Sequence, residues 1–195
     1  MKSLHIRFVI ITVPRGIAFR KLSSIIQLIK DVGDTYTAAT YPPHVTLRTG
    51  AIVPAAEVDA FIDRFEEHIG AWQSFSIETA GISTEEFVTE ERPSFFVYYR
   101  IKPNPDLEKL NRHLLQFEPY IKSQKKDFHP HLSLAYNDLS RSGHERIRQL
   151  LKTKGHLFPE SISWTCDTVS LYYFKEGKWL PFYSFKSSDA EPLEN

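Results

Sequence analysis

The sequence lacks the features that define several large classes of protein. Its 195 residues include a single cysteine, Cys166, so neither an internal disulfide nor a thiolate metal cluster can form. The longest apolar run, Phe8 to Val13, is far shorter than the roughly 18–20 residues of a membrane span. No small-residue cleavage site follows an apolar core at the N-terminus, so we expect no signal peptide. These absences predict a cytoplasmic protein.

An excess of charge of either sign is missing as well. Lys and Arg number 24 and Asp and Glu number 24, which gives a net charge of zero and a pI of about 7.1. This balance does not favour a broadly basic nucleic-acid binder. The sequence also has no Gly-rich phosphate loop, no convincing Ser-His-Asp order and no heptad run. We expect no cofactor, no membrane association and no obligate protein partner.

The composition that remains is that of a globular protein with a real core. Hydrophobic residues make up 42% of the chain and aromatic residues 13%. Residues 1–186 are predicted to form a single bilobed domain. Residues 187–195 are polar and acidic, and they are predicted to form a flexible tail.

Hydrophobic periodicity predicts alternating strands and helices. Apolar residues recur at helical spacing in four segments, and alternating or β-branched segments predict the strands between them. The predicted helices lie near 18–31, 58–69, 107–121 and 147–151, and the predicted strands near 4–13, from 44, near 75–79, at 94–101, from 131, and in a C-terminal hairpin at 168–174 and 179–185. The charged segment 85–91 is predicted to be a loop or a sheet edge.

The order of these elements repeats. A strand, a helix, a second strand and a second helix follow each other from residue 4 and again from residue 94. Two such halves predict an α+β fold made of a duplicated, bilobed unit. Mostly antiparallel sheets would line a central groove, with the helices outside.

A heptapeptide is the clearest sign of this duplication. Residues 41–47 (Tyr-Pro-Pro-His-Val-Thr-Leu) match residues 128–134 (Phe-His-Pro-His-Leu-Ser-Leu) in type at every position but the second. Side chains alternate along a strand, so His44 and Thr46 share one face. His131 and Ser133 share the corresponding face of the second strand. Two copies of one polar pair at equivalent positions are hard to explain by packing, because buried polar groups need partners.

Two imidazoles and two hydroxyls have the chemistry for reaction at phosphorus. Imidazole titrates with a pKa of about 6.5, so one histidine can act as base while the other acts as acid. Hydroxyls can donate to the non-bridging phosphate oxygens, where charge builds up in the transition state. We therefore interpret His44, His131, Thr46 and Ser133 as the catalytic residues.

The two motifs, His44-Val45-Thr46-Leu47 and His131-Leu132-Ser133-Leu134, resemble the paired His-x-Thr/Ser-x signatures of the 2H phosphoesterase superfamily. That superfamily includes 2′,3′-cyclic nucleotide phosphodiesterases and bacterial 2′-5′ RNA ligase-like proteins. Residues 130–138 are most similar to the second motif of the cyclic phosphodiesterase branch. By order of elements the resemblance covers residues 4–185. It implies a bilobed sheet with a water-filled groove and metal-independent opening of cyclic phosphodiesters.

Four further residues are candidates for contact with the substrate. Tyr41 and Phe128 precede the motifs at equivalent positions, where an aromatic ring can either stack on a base or pack against the strand entry. Arg48 and Tyr136 follow the motifs, and we expect each of them to need a bulge or a strand end to reach the substrate.

The sequence predicts a metal-independent phosphodiesterase that acts on a small cyclic nucleotide or an RNA terminus. Three alternatives remain open at this point. The same four residues could serve a 2′-5′ RNA phosphodiesterase or ligase, the pocket could belong to a non-catalytic nucleotide or RNA-binding module, or His129 and His131 could share a metal ion in a metal-dependent hydrolase.

Overall fold

The computed structural model describes residues 4–88, 93–117, 120 and 128–189. Within these ranges it contains eight β-strands, four α-helices and three short 3₁₀ helices. The strands are β1 (His5–Thr12), β2 (Val45–Pro54), β3 (Phe75–Val88), β4 (Pro93–Ile101), β5 (His131–Ala135), β6 (Ser163–Cys166), β7 (Thr168–Lys175) and β8 (Lys178–Lys186). The helices are α1 (Gly16–Gly33), α2 (Val58–Ile69), α3 (Pro105–Leu115) and α4 (Arg141–Thr153).

All eight strands join one antiparallel sheet in the order β6-β3-β4-β5-β2-β1-β7-β8. The centre of the sheet is the pair β5–β2, which comes from the two motif segments. Strand β3 belongs to the first half of the sequence but pairs with β4 of the second half. Likewise β7 belongs to the second half but pairs with β1 of the first half. Each half of the sheet therefore contains strands from both halves of the sequence.

The helices cover one face of the sheet and leave the other open. The apolar stripe of α1 buries Leu22, Ile26 and Ile29, and α3 buries Leu107 and Leu114. Helix α1 packs on β5 and α3 packs on β2, so each helix covers the motif strand of the other half. The core lies between helices and sheet, and the predicted α+β class with helices outside a mostly antiparallel sheet is confirmed.

Helices α1 and α4 meet at a pair of glycines. A Cβ atom added to Gly143 would lie 2.2 Å from the carbonyl oxygen of Gly33. The Arg146 side chain donates from Nε to the carbonyl of Val32 at 2.7 Å and from Nη2 to that of Gly33 at 3.3 Å. The start of α4 is thus docked on the last carbonyl groups of α1.

The charged segment 85–91 is a sheet edge as far as it is described. Strand β3 continues through Glu85 and Glu86 to Val88, where it pairs with β4 alone among the described residues, and residues 89–91 lie outside them. Other elements differ from the sequence prediction. Helix α3 ends at Leu115, and the rest of the predicted helix falls partly outside the described residues. The short strand β6 was not predicted at all.

The first residues of the predicted tail are held against the domain. The Ser188 backbone amide donates to the carbonyl of Trp72, and the Asp189 carboxylate accepts from the Ser74 amide and hydroxyl, both at 2.8 Å. Ser187 is buried. Residues 187–189 thus contact the domain in this structure, while 190–195 lie outside the described residues and the flexible tail stays a prediction. None of the described helices has the length and hydropathy to cross a membrane.

Candidate active site

The two motifs meet at the centre of the sheet. Val45 of β2 pairs with Leu132 of β5 in an antiparallel register. Continuing this register by one step in each direction brings His44 opposite Ser133 and Thr46 opposite His131, and all four residues line one cavity. By this extension of the register, each motif histidine faces the hydroxyl residue of the other motif. The two histidines occupy diagonal corners of this square, and their Cβ atoms are roughly 7 Å apart by the geometry of such a diagonal.

Both histidines are held by the same local contact. The Nδ1 atom of His44 lies 2.9 Å from the carbonyl oxygen of Pro42, and the Nδ1 atom of His131 lies 2.9 Å from that of His129. A carbonyl only accepts, so Nδ1 carries the proton in each ring, and Nε2 of the neutral ring is left as the proton acceptor. In each motif a proline, Pro43 or Pro130, separates the histidine from the residue that supplies the carbonyl. The proline ring fixes the φ angle of the backbone at this position.

The environment of His44 favours its neutral form. Burial lowers its pKa below the ordinary value of 6.5, and the nearby His131 lowers it further, while the bond to the Pro42 carbonyl raises it in part. A neutral imidazole with a free Nε2 is the form that accepts a proton. All four side chains of the square are half-buried, so they remain reachable from solvent.

The square lies in a cavity of about 250 Å³ on the open face of the sheet. The cavity contains all four predicted catalytic residues and two of the four predicted contact residues, Tyr41 and Tyr136. The Tyr41 and Tyr136 side chains interact with each other, which brings together the segments that flank the two motifs. The remaining lining residues are Val9, Ile11, Thr49, Phe96, Tyr172 and Trp179.

The same β-bulge follows both motifs and decides which later residue reaches the cavity. On β2 the register with β1 skips Leu47, so Arg48 pairs with the buried Ile10. Strict alternation would place Arg48 on the face of Thr46, but the bulge turns it to the helix side and brings Thr49 to the cavity. On β5 the register with β4 skips Leu134 in the same way, and the bulge brings Tyr136 to the cavity.

Two predicted contact residues therefore lie elsewhere. The Arg48 guanidinium donates to Oδ1 of the buried Asn111 on α3 at 2.9 Å, and Asn111 in turn donates to the carbonyl of Leu47 at 2.6 Å. Phe128 is partly buried and packs against the core, as its alternative interpretation anticipated, and it is not among the cavity-lining residues. Arg48 and Phe128 have structural contacts instead of cavity contacts.

Sequence analysis missed the aromatic walls of the cavity. Phe96 on β4 lies edge-on to the His131 ring, with centroids 5.2 Å apart, and Tyr98 lies 5.5 Å from the same ring. Tyr172 and Trp179 form the wall on the side of β1. The alternation of side chains predicts that the rings within each strand share one face. Whether that face is also the face of the histidines depends on the order of the strands in the sheet, which the sequence does not show.

A second, larger cavity of about 570 Å³ lies away from the motifs, between the ends of α2 and α3. Its lining includes His68 and His113, whose rings stack in parallel at 4.3 Å and whose Nε2 atoms each donate to the other residue's carbonyl. Both rings are thus used in joining the two helices. Among the described residues, no group of three or more His, Cys, Asp or Glu side chains is placed to hold a metal ion.

The interlaced antiparallel sheet and its paired His-x-hydroxyl strands are those of a 2H phosphoesterase. The chain belongs to the 2′-5′ RNA ligase superfamily, whose family model matches residues 19–178. A search of curated proteins finds no match.

Several solved structures share the fold at low sequence identity. E. coli LigT in complex with 3′-AMP is 14% identical, with a TM-score of 0.58 over 95% of this chain and 100% of that chain. The protein TT0787 of Thermus thermophilus is also 14% identical, with a TM-score of 0.58 over 92% and 97%. Usb1 from Kluyveromyces marxianus is 15% identical, with a TM-score of 0.50 over 91% and 98%.

Proposed function

We propose that this protein is a metal-independent phosphodiesterase that opens 2′,3′-cyclic phosphates of nucleotides or RNA ends. The single observation that carries the proposal is the square in which each motif histidine faces the hydroxyl of the other motif. This arrangement puts one imidazole on each side of a phosphorus atom bound between the strands. A 2H relative with the same fold, E. coli LigT, was crystallised with 3′-AMP, a nucleoside that carries its phosphate on a ribose oxygen.

In the proposed reaction His44 is the general base and His131 the general acid. The Nε2 atom of His44 takes a proton from water as the water oxygen bonds to phosphorus. His131 enters this step as an imidazolium, protonated on both ring nitrogens. The bond from phosphorus to one ribose oxygen breaks, and His131 gives its Nε2 proton to that oxygen and keeps the proton on Nδ1. The lowered pKa of His44 and the bond of its Nδ1 to Pro42 support the role as base.

Thr46 and Ser133 are proposed to hold the non-bridging oxygens of the phosphate. Each hydroxyl lies beside a histidine on the same strand and faces the other histidine across the strand pair. Donors placed in advance at these oxygens stabilise the charge that grows in the transition state. Tyr41 and Tyr136 are proposed to contact the nucleoside at the mouth of the cavity. A cytoplasmic location remains part of the proposal, since a lone buried cysteine suits a reducing compartment.

The proposal is tested with a screen of 2′,3′-cyclic nucleotides in the presence of a chelator, with identification of the products. We expect turnover by the wild type, and a loss of about 10²- to 10⁴-fold in kcat for His44→Ala and for His131→Ala. His156→Ala is the matched control, because His156 is exposed on a 3₁₀ helix and outside the cavity. Loss of activity in chelator would instead support a metal-dependent hydrolase.

A second candidate is hydrolysis or ligation of 2′-5′ phosphodiesters, which the name of the matching superfamily favours. A 2′-5′-linked dinucleotide assayed beside a 2′,3′-cyclic mononucleotide separates the two activities. A wild type that binds both compounds and turns over neither would be a non-catalytic binding module.

A further inference from the structure

Exposed aromatic residues continue beyond the cavity on both sides. Phe87 on β3 and Phe174 on β7 are 47% and 46% exposed. Phe87 comes two residues after Glu85, the partner of the cavity-lining Phe96, and Phe174 comes two residues after the cavity-lining Tyr172. Both therefore lie on the cavity face. Strand β3 flanks β4 as β7 flanks β1, so the two phenylalanines occupy equivalent positions of the duplicated fold.

A cation, Arg7, lies close to the aromatic residues on the Phe174 side of the cavity. Phe174 pairs with Trp179 of β8, and their ring centroids are 5.3 Å apart. The guanidinium carbon of the exposed Arg7 lies 5.9 Å from the centre of the Trp179 ring. Among the described residues no carboxylate is within salt-bridge distance of Arg7. We call Arg7, Phe174 and Trp179 the β7–β8 platform.

Among the described residues, no cation lies over the aromatic rings Phe87 and Phe96 of the equivalent surface on the other side. Phe87 contacts Phe96, with ring centroids 6.4 Å apart, but the position that corresponds to Arg7 is Ser94. The Glu85 carboxylate, which accepts from the Tyr98 hydroxyl, also lies on this face. A phosphate placed here would meet a carboxylate, whereas a phosphate on the β7–β8 platform would meet a guanidinium.

We propose that the substrate is an oligoribonucleotide whose chain leaves the cavity over the β7–β8 platform. The base next to the reacting nucleotide stacks on the exposed ring of Phe174, beside Trp179, and its phosphate is bound by Arg7. Phe174 lies roughly 7 Å beyond Tyr172 along the strand, within reach of a neighbouring nucleotide. This inference rests on the proposed function and narrows its substrate from cyclic mononucleotides to RNA ends.

The first measurement compares a 2′,3′-cyclic mononucleotide with a trinucleotide that ends in the same cyclic phosphate. We expect kcat/KM to be about tenfold higher for the trinucleotide, because each stacked base adds about that much. This preference should decrease as salt is added, since it includes a phosphate contact. Equal values for the two substrates at low salt would overturn the inference and leave the proposed function intact.

The second measurement assigns the preference to the platform. We expect Phe174→Ala and Arg7→Gln each to lower the ratio of trinucleotide to mononucleotide kcat/KM by about five- to tenfold. Phe174→Tyr should retain the ratio, because a phenol ring also stacks. Phe87→Ala is the matched control, with equal exposure at the equivalent position, and it should keep the wild-type ratio. A decrease in Phe87→Ala as large as that in Phe174→Ala would overturn the inference.

Binding keeps the inference testable if no turnover is found. Fluorescence anisotropy with a labelled trinucleotide 3′-phosphate reports on the platform whether or not the protein cleaves anything. Weaker binding to Phe174→Ala and Arg7→Gln, but not to Phe87→Ala, supports the platform even if the proposed reaction fails. Equal binding to all four proteins rejects it. Circular dichroism confirms that each variant is folded.

Discussion

At the scale of single residues, the orientation of each motif imidazole is fixed from within its own motif. The carbonyl two residues before the histidine binds Nδ1 in both copies, at 2.9 Å in each. The intervening proline, Pro43 or Pro130, has no amide proton that could compete for that carbonyl or join the sheet ladder. In the aromatic-x-Pro-His pattern, the carbonyl before the proline binds Nδ1 and leaves Nε2 available to the substrate. This contact explains why the repeated segment begins before the histidine.

The depressed pKa of His44 leads to a prediction for the pH dependence of catalysis. A base must be neutral to act, and burial shifts the pKa of His44 below 6.5, so activity should persist on acidification past that value and fall only at lower pH. The measurement is kcat/KM for a 2′,3′-cyclic nucleotide from about pH 4 to pH 8. An acid limb centred at or above 6.5 would contradict the role of His44 as the buried base.

The same shift affects the free energy of unfolding. The unfolded chain binds a proton at His44 more readily than the folded protein does, so this contribution is present above pH 6.5 and is lost as the pH falls toward the lower folded-state value. Urea titrations of the wild type and of His44→Gln at several pH values isolate the contribution of His44 to the free energy of unfolding. The variant should lose less stability on acidification than the wild type.

At the scale of elements, a loop anchor connects the two motifs. Asp138, just after the second motif, accepts bonds from the Thr35 hydroxyl at 2.6 Å, the Tyr36 amide at 2.6 Å and the Thr37 amide at 3.0 Å. Burial acts to raise the pKa of Asp138, but these bonds outweigh it and lower the pKa below its usual value. The anchor is therefore intact at the pH of any ordinary assay, and it holds the segment that leads into the first motif.

Removing the anchor should impair catalysis more than folding. We expect Asp138→Ala to lower kcat/KM by about tenfold or more, because small displacements of a catalytic group are costly. Asp63→Asn on the exposed face of α2 is the control and should retain full activity. Circular dichroism distinguishes misplacement from unfolding. Wild-type kinetics in Asp138→Ala would show that the loop does not need this carboxylate.

The contact between α1 and α4 leads to a prediction for stability. A methyl group at Gly143 would collide with the backbone of Gly33, where nothing flexible can move aside. We expect Gly143→Ala to lower the free energy of unfolding by about 1–3 kcal/mol, although alanine is otherwise the better helix former. Gly155→Ala, where no atom lies within 4 Å of the added methyl, is the control. Urea unfolding measures both, and equal stability of the two variants would contradict the prediction.

The bulges also show where sequence reasoning reaches its limit. Alternation correctly placed His44 with Thr46 and His131 with Ser133, because each bulge comes only after the hydroxyl residue, at Leu47 and Leu134. It could not place Arg48, since the skipped residue Leu47 is defined by pairing with β1, a strand more than 30 residues away in the sequence. The alternation of side chains within a strand can be predicted from the sequence of that strand. The register between two strands depends also on the partner strand, so the position of a bulge cannot be predicted in the same way.

At the scale of the whole molecule, the interlaced strands make the two halves dependent on each other. The duplication was visible in the order of elements, but the exchange of β3 and β7 between the halves of the sheet was not, because hydrophobic periodicity says nothing about which strands pair. Neither half of the sequence contains all the strands of one half of the sheet. We therefore expect the molecule to fold and unfold as a single unit.

This dependence predicts one cooperative unfolding transition. Trp72 and Trp164 lie near the β6 end of the sheet and Trp179 lies on β8 at the other end. We consider two variants, one that keeps Trp179 as its single tryptophan and one that lacks only Trp179. In each variant the urea midpoint measured by tryptophan fluorescence should equal the midpoint measured by far-UV circular dichroism. Two separate midpoints would show that the halves unfold independently.

The pseudo-twofold relation between the motif strands has a chemical consequence. An ideally symmetric site could not distinguish the oxygen that enters at phosphorus from the oxygen that departs. The bulges place Thr49 on one side and Tyr136 on the other, and the half-buried Arg48 lies where the second copy has Ala135. In the proposed reaction the unequal pair Thr49 and Tyr136 would distinguish the entering oxygen from the departing one, so exchanging these two residues would test what decides which ribose oxygen keeps the phosphate.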